Sequence, residues 1–81
     1  MNRKEFVKEV SKHKGLSKTR AYRSVNAVMD TIRMALLNGD EVEIGGFGTF
    51  AVVTDLKGER IPVFKAGRAL KNVLNINRKE N

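Results

Sequence analysis

The side chains of this 81-residue chain best suited to chemistry are its cations: sixteen Lys and Arg stand against nine Asp and Glu, a formal net charge of +7. An excess of that size in so small a chain points to a polyanionic partner. Its placement is uneven. Residues 1–23 hold eight basic and two acidic side chains, residues 24–56 hold one and five, and residues 57–81 hold seven and two, so both ends are basic and the middle is not. Near the start, Lys4, Lys8 and Lys12 form a row at i, i+4 spacing. Like charges so spaced cost an isolated helix roughly 0.2–0.5 kcal/mol per pair, which Glu5 and Glu9 relieve in part and a polyanion along that face would relieve further. Other chemistries lack their residues. Without cysteine there is no thiolate metal site, thiol nucleophile or disulfide. His13 is the sole imidazole and stands in no recognisable carboxylate triad, so it is read as a helix C-terminal cation when protonated, not as a base or ligand. No Ser-His-Asp set, phosphate-cradling loop or pair of acids stands out; the expectation is a non-enzymatic protein with no catalytic residues, metal, cofactor or small-molecule substrate.

These cations must be positioned by one domain, residues 1–81 with a polar tail over 77–81, since a chain this short with an apolar fraction of 41% allows a single core and three or four elements. Without disulfides or metal, self-association is the remaining staple. The longest apolar runs, such as residues 34–37, are four residues, too short for a bilayer span or a signal-peptide core, so a soluble intracellular protein is expected. Asn2 and Glu5 have capping-box spacing, and a first helix is predicted over residues 3–13 with Phe6, Val7 and Val10 on one face and the lysine row on the far side. Residues 14–16 break it. Ser17 can cap a second helix that runs to about Leu37 before Gly39 stops it, and Ala21, Tyr22, Val25, Val28, Met29, Ile32, Ala35 and Leu36 form a stripe of about 120° along it. That stripe is read as core, and it is too long for the first helix alone to cover.

After Gly39 the apolar period falls from 3.6 to 2. Val42 and Ile44 alternate with Glu41 and Glu43 as in a half-buried strand. Gly45, Gly46 and Gly48 surround Phe47, where the backbone must turn sharply or approach something closely. A second strand carries Phe50, Val52 and Thr54. Asp55 and Gly58 suit a type I turn with a bulge, and the return strand is residues 59–64, with Pro62 at an edge or bulge. Ala66, Ala69, Leu70, Val73 and Leu74 share one face of a short third helix, opposite Arg68, Lys71, Asn75 and Arg78. The order is α-α-β-β-β-α, an α+β fold.

Taken in order, Leu16-Ser17-Lys18, the run from Gly46 through Phe47, Gly48 and Thr49 to Phe50, and the Phe64, Gly67, Leu70, Lys71 spacing resemble the HU/IHF family of bacterial architectural DNA-binding proteins over nearly the whole chain. The resemblance implies an intertwined homodimer, with the helical pairs as a base, the sheets as a β-saddle over it, and Phe47, Phe50 and Phe64 in a shared dimer core. It also carries over phosphate contacts to Arg3 and Lys18, at the starts of the first two helices, and to Arg68 and Lys71 on the third. Helix starts suit phosphate because free amides and the positive dipole end face it. The alternative is that all four are solvated surface cations. Gly46 and Gly48 would let a phosphate reach backbone amides with no Cβ in the way; equally, they serve only the bend around Phe47.

The chain departs from the family in two places. Its members carry a long basic β-ribbon arm with a Gly-x-Asn-Pro-x-Thr tip, whereas here residues 53–61 stand in its place, with Lys57 and Arg60 balanced by Asp55 and Glu59 and no proline to wedge between base pairs. Ala66 stands where relatives often have Ser or Pro, so the third helix has no side-chain cap. The function expected is sequence-independent binding of double-stranded DNA through phosphates, in the cytoplasmic nucleoid, with coating, compaction or bridging and weak bending. One alternative is an armless protein-interaction or heterodimerisation module of the same fold. Another is a helix-turn-helix regulator, although a twenty-residue second helix with a broad buried stripe leaves few side chains for base edges. A membrane-surface role is disfavoured because the first helix lacks Trp or Leu on its apolar face.

Overall fold

The computed structural model describes residues 1–76; the tail expected over residues 77–81, and with it Arg78, lies outside the described residues. The chain forms two compact units, Met1–Thr31 and the residues from Ile32 onward.

In the first unit, helix α1 (Arg3–Ser11) begins as its sequence dictates. The Asn2 side chain accepts from the Glu5 N–H at 2.9 Å, and the Glu5 carboxylate accepts from the Asn2 N–H at 2.9 Å, satisfying two of the amides that a helix start leaves open. The helix ends short of the predicted residue 13. His13–Gly15 tightens instead into one 3-10 turn, closed by Gly15 at φ +68° and by a Leu16 N–H donating to the His13 carbonyl at 3.3 Å. Ser17 Oγ then accepts from the Arg20 N–H at 3.1 Å and opens helix α2 (Lys18–Leu37). Val7, Ala21 and Val25 are buried together, with Val10 and Met29 packed at their margin. This is narrower than the predicted core. Tyr22 and Val28 are 55% and 56% exposed, and Phe6 is exposed as well, because the valines that α1 offers cover only the Ala21–Val25–Met29 row of the stripe.

In the second unit, α2 ends at Gly39 (φ +84°), whose N–H donates to the Leu36 carbonyl at 3.0 Å while the Asp40 N–H donates to Ala35 at 2.9 Å. This pair of bonds is the glycine-dependent cap that the Asn-Gly-Asp sequence predicts. Strands β1 (Val42–Ile44), β2 (Gly48–Thr54) and β3 (Arg60–Ala66) form an antiparallel sheet in that order, with Phe50 paired to Val42 on one side and Phe64 on the other. Pro62 lies on β3, an edge strand, where its missing donor costs no ladder bond. The strand runs past the predicted Phe64 because Lys65 and Ala66 still pair with Thr49 and Gly48. Alternation gathers the aromatic rings: Phe64 lies 4.8 Å from Phe50 and 5.4 Å from Phe47, centroid to centroid.

The β2–β3 hairpin closes tightly. Thr54 pairs with Arg60, the Gly58 N–H (φ +88°) donates to the Asp55 carbonyl at 3.0 Å, and Asp55 Oδ1 accepts from both the Lys57 and Glu59 N–H groups at 2.9 Å. That is the predicted turn with its glycine bulge, reinforced by the Asp side chain. Helix α3 (Arg68–Leu74) follows Gly67, whose N–H donates to the Phe47 carbonyl at 2.8 Å. Gly67, not Ala66, holds the cap position, and the helix start has no side-chain cap. Val73 and Leu74 on α3, and Met34 and Leu37 on α2, remain exposed in the single chain, as do Phe47 and Phe64.

Candidate nucleic-acid interface

Arg3 is the first residue of α1 and Lys18 the first of α2. Both line one concavity of the first unit, together with Lys4, Lys8, Val7 and Tyr22. Arg3 is held there by its own hydrogen bond, Nη1 donating to Asn26 Oδ1 at 3.1 Å. The lysine row therefore divides: Lys4 and Lys8 join this rim, whereas Lys12 Nζ pairs with Glu9 at 3.1 Å. The one carboxylate on the rim, Glu5, is occupied by the Asn2 amide. The local charge is thus strongly positive.

In the second unit, Arg68 and Lys71 sit three apart on α3, so they share a face, and both are exposed. The glycine pair separates. Gly46 is exposed, at φ +81°, with open space where a Cβ would lie. Gly48 is buried in the middle strand between Ile44 and Ala66, and a Cβ there would lie 2.5 Å from the Lys65 carbonyl oxygen and 2.6 Å from the Phe64 ring. Its missing side chain makes room for an aromatic ring, which supports the packing alternative for Gly48 beside the phosphate one. Both glycines remain candidates.

Three structural features escape a reading of the sequence alone. Tyr22 belongs by period to the apolar stripe, yet it lines the cationic concavity; the signal was its i, i+4 spacing from Lys18. Arg60, counted as a hairpin-tip charge, donates through Nη2 to the Leu36 and Leu37 carbonyls at 3.0 and 3.1 Å, where the C-terminal end of α2 presents open acceptors. Leu56, in the hairpin turn, is fully exposed. Among the described residues, no helix is long and apolar enough to cross a membrane.

Known proteins resemble this chain in sequence and in fold. The family model described as Bacterial DNA-binding protein matches residues 1–59, ending at the residue that closes the hairpin turn. The DNA-binding protein HU of Geobacillus stearothermophilus is 35% identical over 89 residues, taking in 91% of this chain and 99% of its own length, so it carries a stretch with no counterpart here. The solved structure of HU from Thermotoga maritima superposes with a TM-score of 0.78 at 38% identity, over 91% of this chain and 98% of that one. An Anabaena HU–DNA cocrystal structure matches with a TM-score of 0.77 at 28% identity, over 91% of this chain and 97% of that one.

Proposed function

This chain belongs to the HU/IHF family of bacterial DNA-binding proteins, and on that footing we propose that it is a homodimeric, non-enzymatic protein of the nucleoid that binds double-stranded DNA of any sequence through its phosphates. The observation that carries the reading is electrostatic. Arg3, Lys18, Arg68 and Lys71 are all exposed, and none of them is ion-paired among the described residues of a chain whose net charge is +7. With no carboxylate cancelling their charge, such cations can replace counterions condensed on DNA. Gly46 offers backbone that a phosphate can approach, since nothing stands where its Cβ would be. The exposed Phe47, Phe64, Val73 and Leu74 support a second protomer as their cover, with Phe47, Phe50 and Phe64 in the shared core. Closure of the hairpin at Thr54 and Arg60 supports contacts limited to the body of the protein, and hence coating, compaction or bridging with weak bending.

A salt titration tests the reading. If each protomer neutralises about three phosphates, log K against log salt should fall with a slope of roughly −5 for the dimer. Replacing Arg68 and Lys71 by Ala should flatten it by roughly one unit per lost contact, equally for unrelated sequences. An unchanged slope would show that α3 does not face DNA, and no binding at low salt would favour the protein-interaction module.

A further inference from the structure

We infer that the concavity of the first unit is a binding site for single-stranded DNA, in which an unstacked base lies on the Tyr22 ring while Arg3, Lys4, Lys8 and Lys18 hold the adjoining phosphates. All five residues line the same depression, and Tyr22 is 55% exposed in the single protomer. Val7 adds apolar surface to the lining. An aromatic platform inside a basic groove is the arrangement that sequence-tolerant single-strand binders use, because every base has a π-face and every nucleotide a phosphate.

Other occupants fit less well. A second copy of this chain would bring four more cations against the first four, and an apolar segment would desolvate them without supplying partners. A paired duplex can engage the cations but not the ring, since its bases are stacked on one another. The ring therefore distinguishes open strands from closed ones. The inference stands apart from the duplex proposal, although Arg3 and Lys18 serve in both, and Tyr22 is the residue on which the two part.

The test uses the full-length protein and an oligothymidylate of about ten nucleotides, within the usual site size for such grooves. The chain has one Tyr and no Trp, so a single tyrosine ring system reports on the site by proton NMR. Its signals should move upfield as a base covers the ring. Tyr22→Ala should weaken oligothymidylate binding roughly 5- to 150-fold, the worth of one base–aromatic stack, whereas Tyr22→Phe retains it. Thermal midpoint and duplex affinity should change little in either variant. Unmoved ring signals, or an equal loss for duplex and single strand, would overturn the inference. So would a Tyr22→Ala chain that sediments at lower mass than the wild type, which would place the ring in a subunit contact. Thymidine monophosphate serves as the free-nucleotide arm. It should bind far more weakly than the strand, and equal affinity would refute a site for strands.

Discussion

Gly48→Ala separates a packing glycine from a phosphate-binding one. The new Cβ would lie 2.5 Å from the Lys65 carbonyl oxygen and 2.6 and 2.7 Å from two atoms of the Phe64 ring. The ring can yield, being the far end of a side chain that is 41% exposed. The carbonyl cannot yield without disturbing the pairing of Gly48 with Ala66 and of Thr49 with Lys65. A displaced Phe64 ring also leaves its places 5.4 Å from Phe47 and 4.8 Å from Phe50. Overpacking typically costs about 1–3 kcal/mol and an aromatic pair contributes about 0.5–1.5 kcal/mol beyond its area, while alanine gains back about 0.4–1 kcal/mol by stiffening the unfolded chain. With both ring pairs disturbed, the midpoints of these ranges give a net expected loss of about 3 kcal/mol. Urea unfolding followed by circular dichroism measures it, at two protein concentrations because dimerisation adds to apparent stability. Gly46→Ala is the control: it meets no atom within 4 Å, so its cost is the left-handed backbone alone, about 1–2 kcal/mol. Gly48→Ala should be the more destabilising of the two, while its folded fraction keeps the wild-type salt slope on DNA. A Gly48→Ala protein as stable as wild type with a flattened slope would refute the packing account and assign the Gly48 amide to the phosphate site.

Three further outcomes follow from the same geometry. Arg60→Ala removes the donor to the Leu36 and Leu37 carbonyls and should cost about 1 kcal/mol in urea unfolding, given its exposure, with duplex affinity unchanged because that guanidinium is already engaged. Sedimentation at micromolar concentration should show a dimer of the 9.1 kDa chain, and Phe47→Ala should cost about 3–5 kcal/mol although the ring is 44% exposed in one protomer; a folded species of single-chain mass would disprove the shared core. Energy transfer between the ends of a duplex of about 30 base pairs should change little at saturation, since a bend of about 40–90° costs about 1–6 kcal/mol and a hairpin closed at Thr54 and Arg60 adds few contacts to offset it. A shortening that matches a bend above about 90° would show that the body alone wraps DNA.

What could be read from the sequence was what a few neighbouring residues decide among themselves. The Asn2–Glu5 box, the Ser17 cap, the Gly39 stop and the Asp55–Gly58 turn each close through hydrogen bonds spanning five residues or fewer, so residue type and spacing contain all the information needed. The end of α1 was less legible because nothing at residues 12–14 stops a helix as firmly as Gly39 does, and the chain tightens there into a 3-10 turn. Gly48 and Arg60 were legible only in part. The ring that fills the space above Gly48 comes from Phe64 on another strand, and the acceptors of Arg60 lie 23 and 24 residues back. Register and tertiary approach settle such contacts, and neither is written in a local pattern.

The candidate interface divides along the same line. The family resemblance supplied Arg3, Lys18, Arg68 and Lys71 one at a time, without saying which of them meet. Placing α1 against α2 through Val7, Ala21 and Val25 turns the starts of both helices toward one depression, and that packing brings Lys4 and Lys8 in beside Arg3 and Lys18. Tyr22 lies outside the buried cluster of the single protomer for a physical reason. It follows the buried Ala21 directly, so its position on the helix is at the border between the covered row and the rim, and a hydrophobic period counts a border residue as core. Tyr22 is 55% exposed in the single protomer and lines the depression beside Arg3, Lys4, Lys8 and Lys18, and it is from that placement, not from its period, that a binding role is argued.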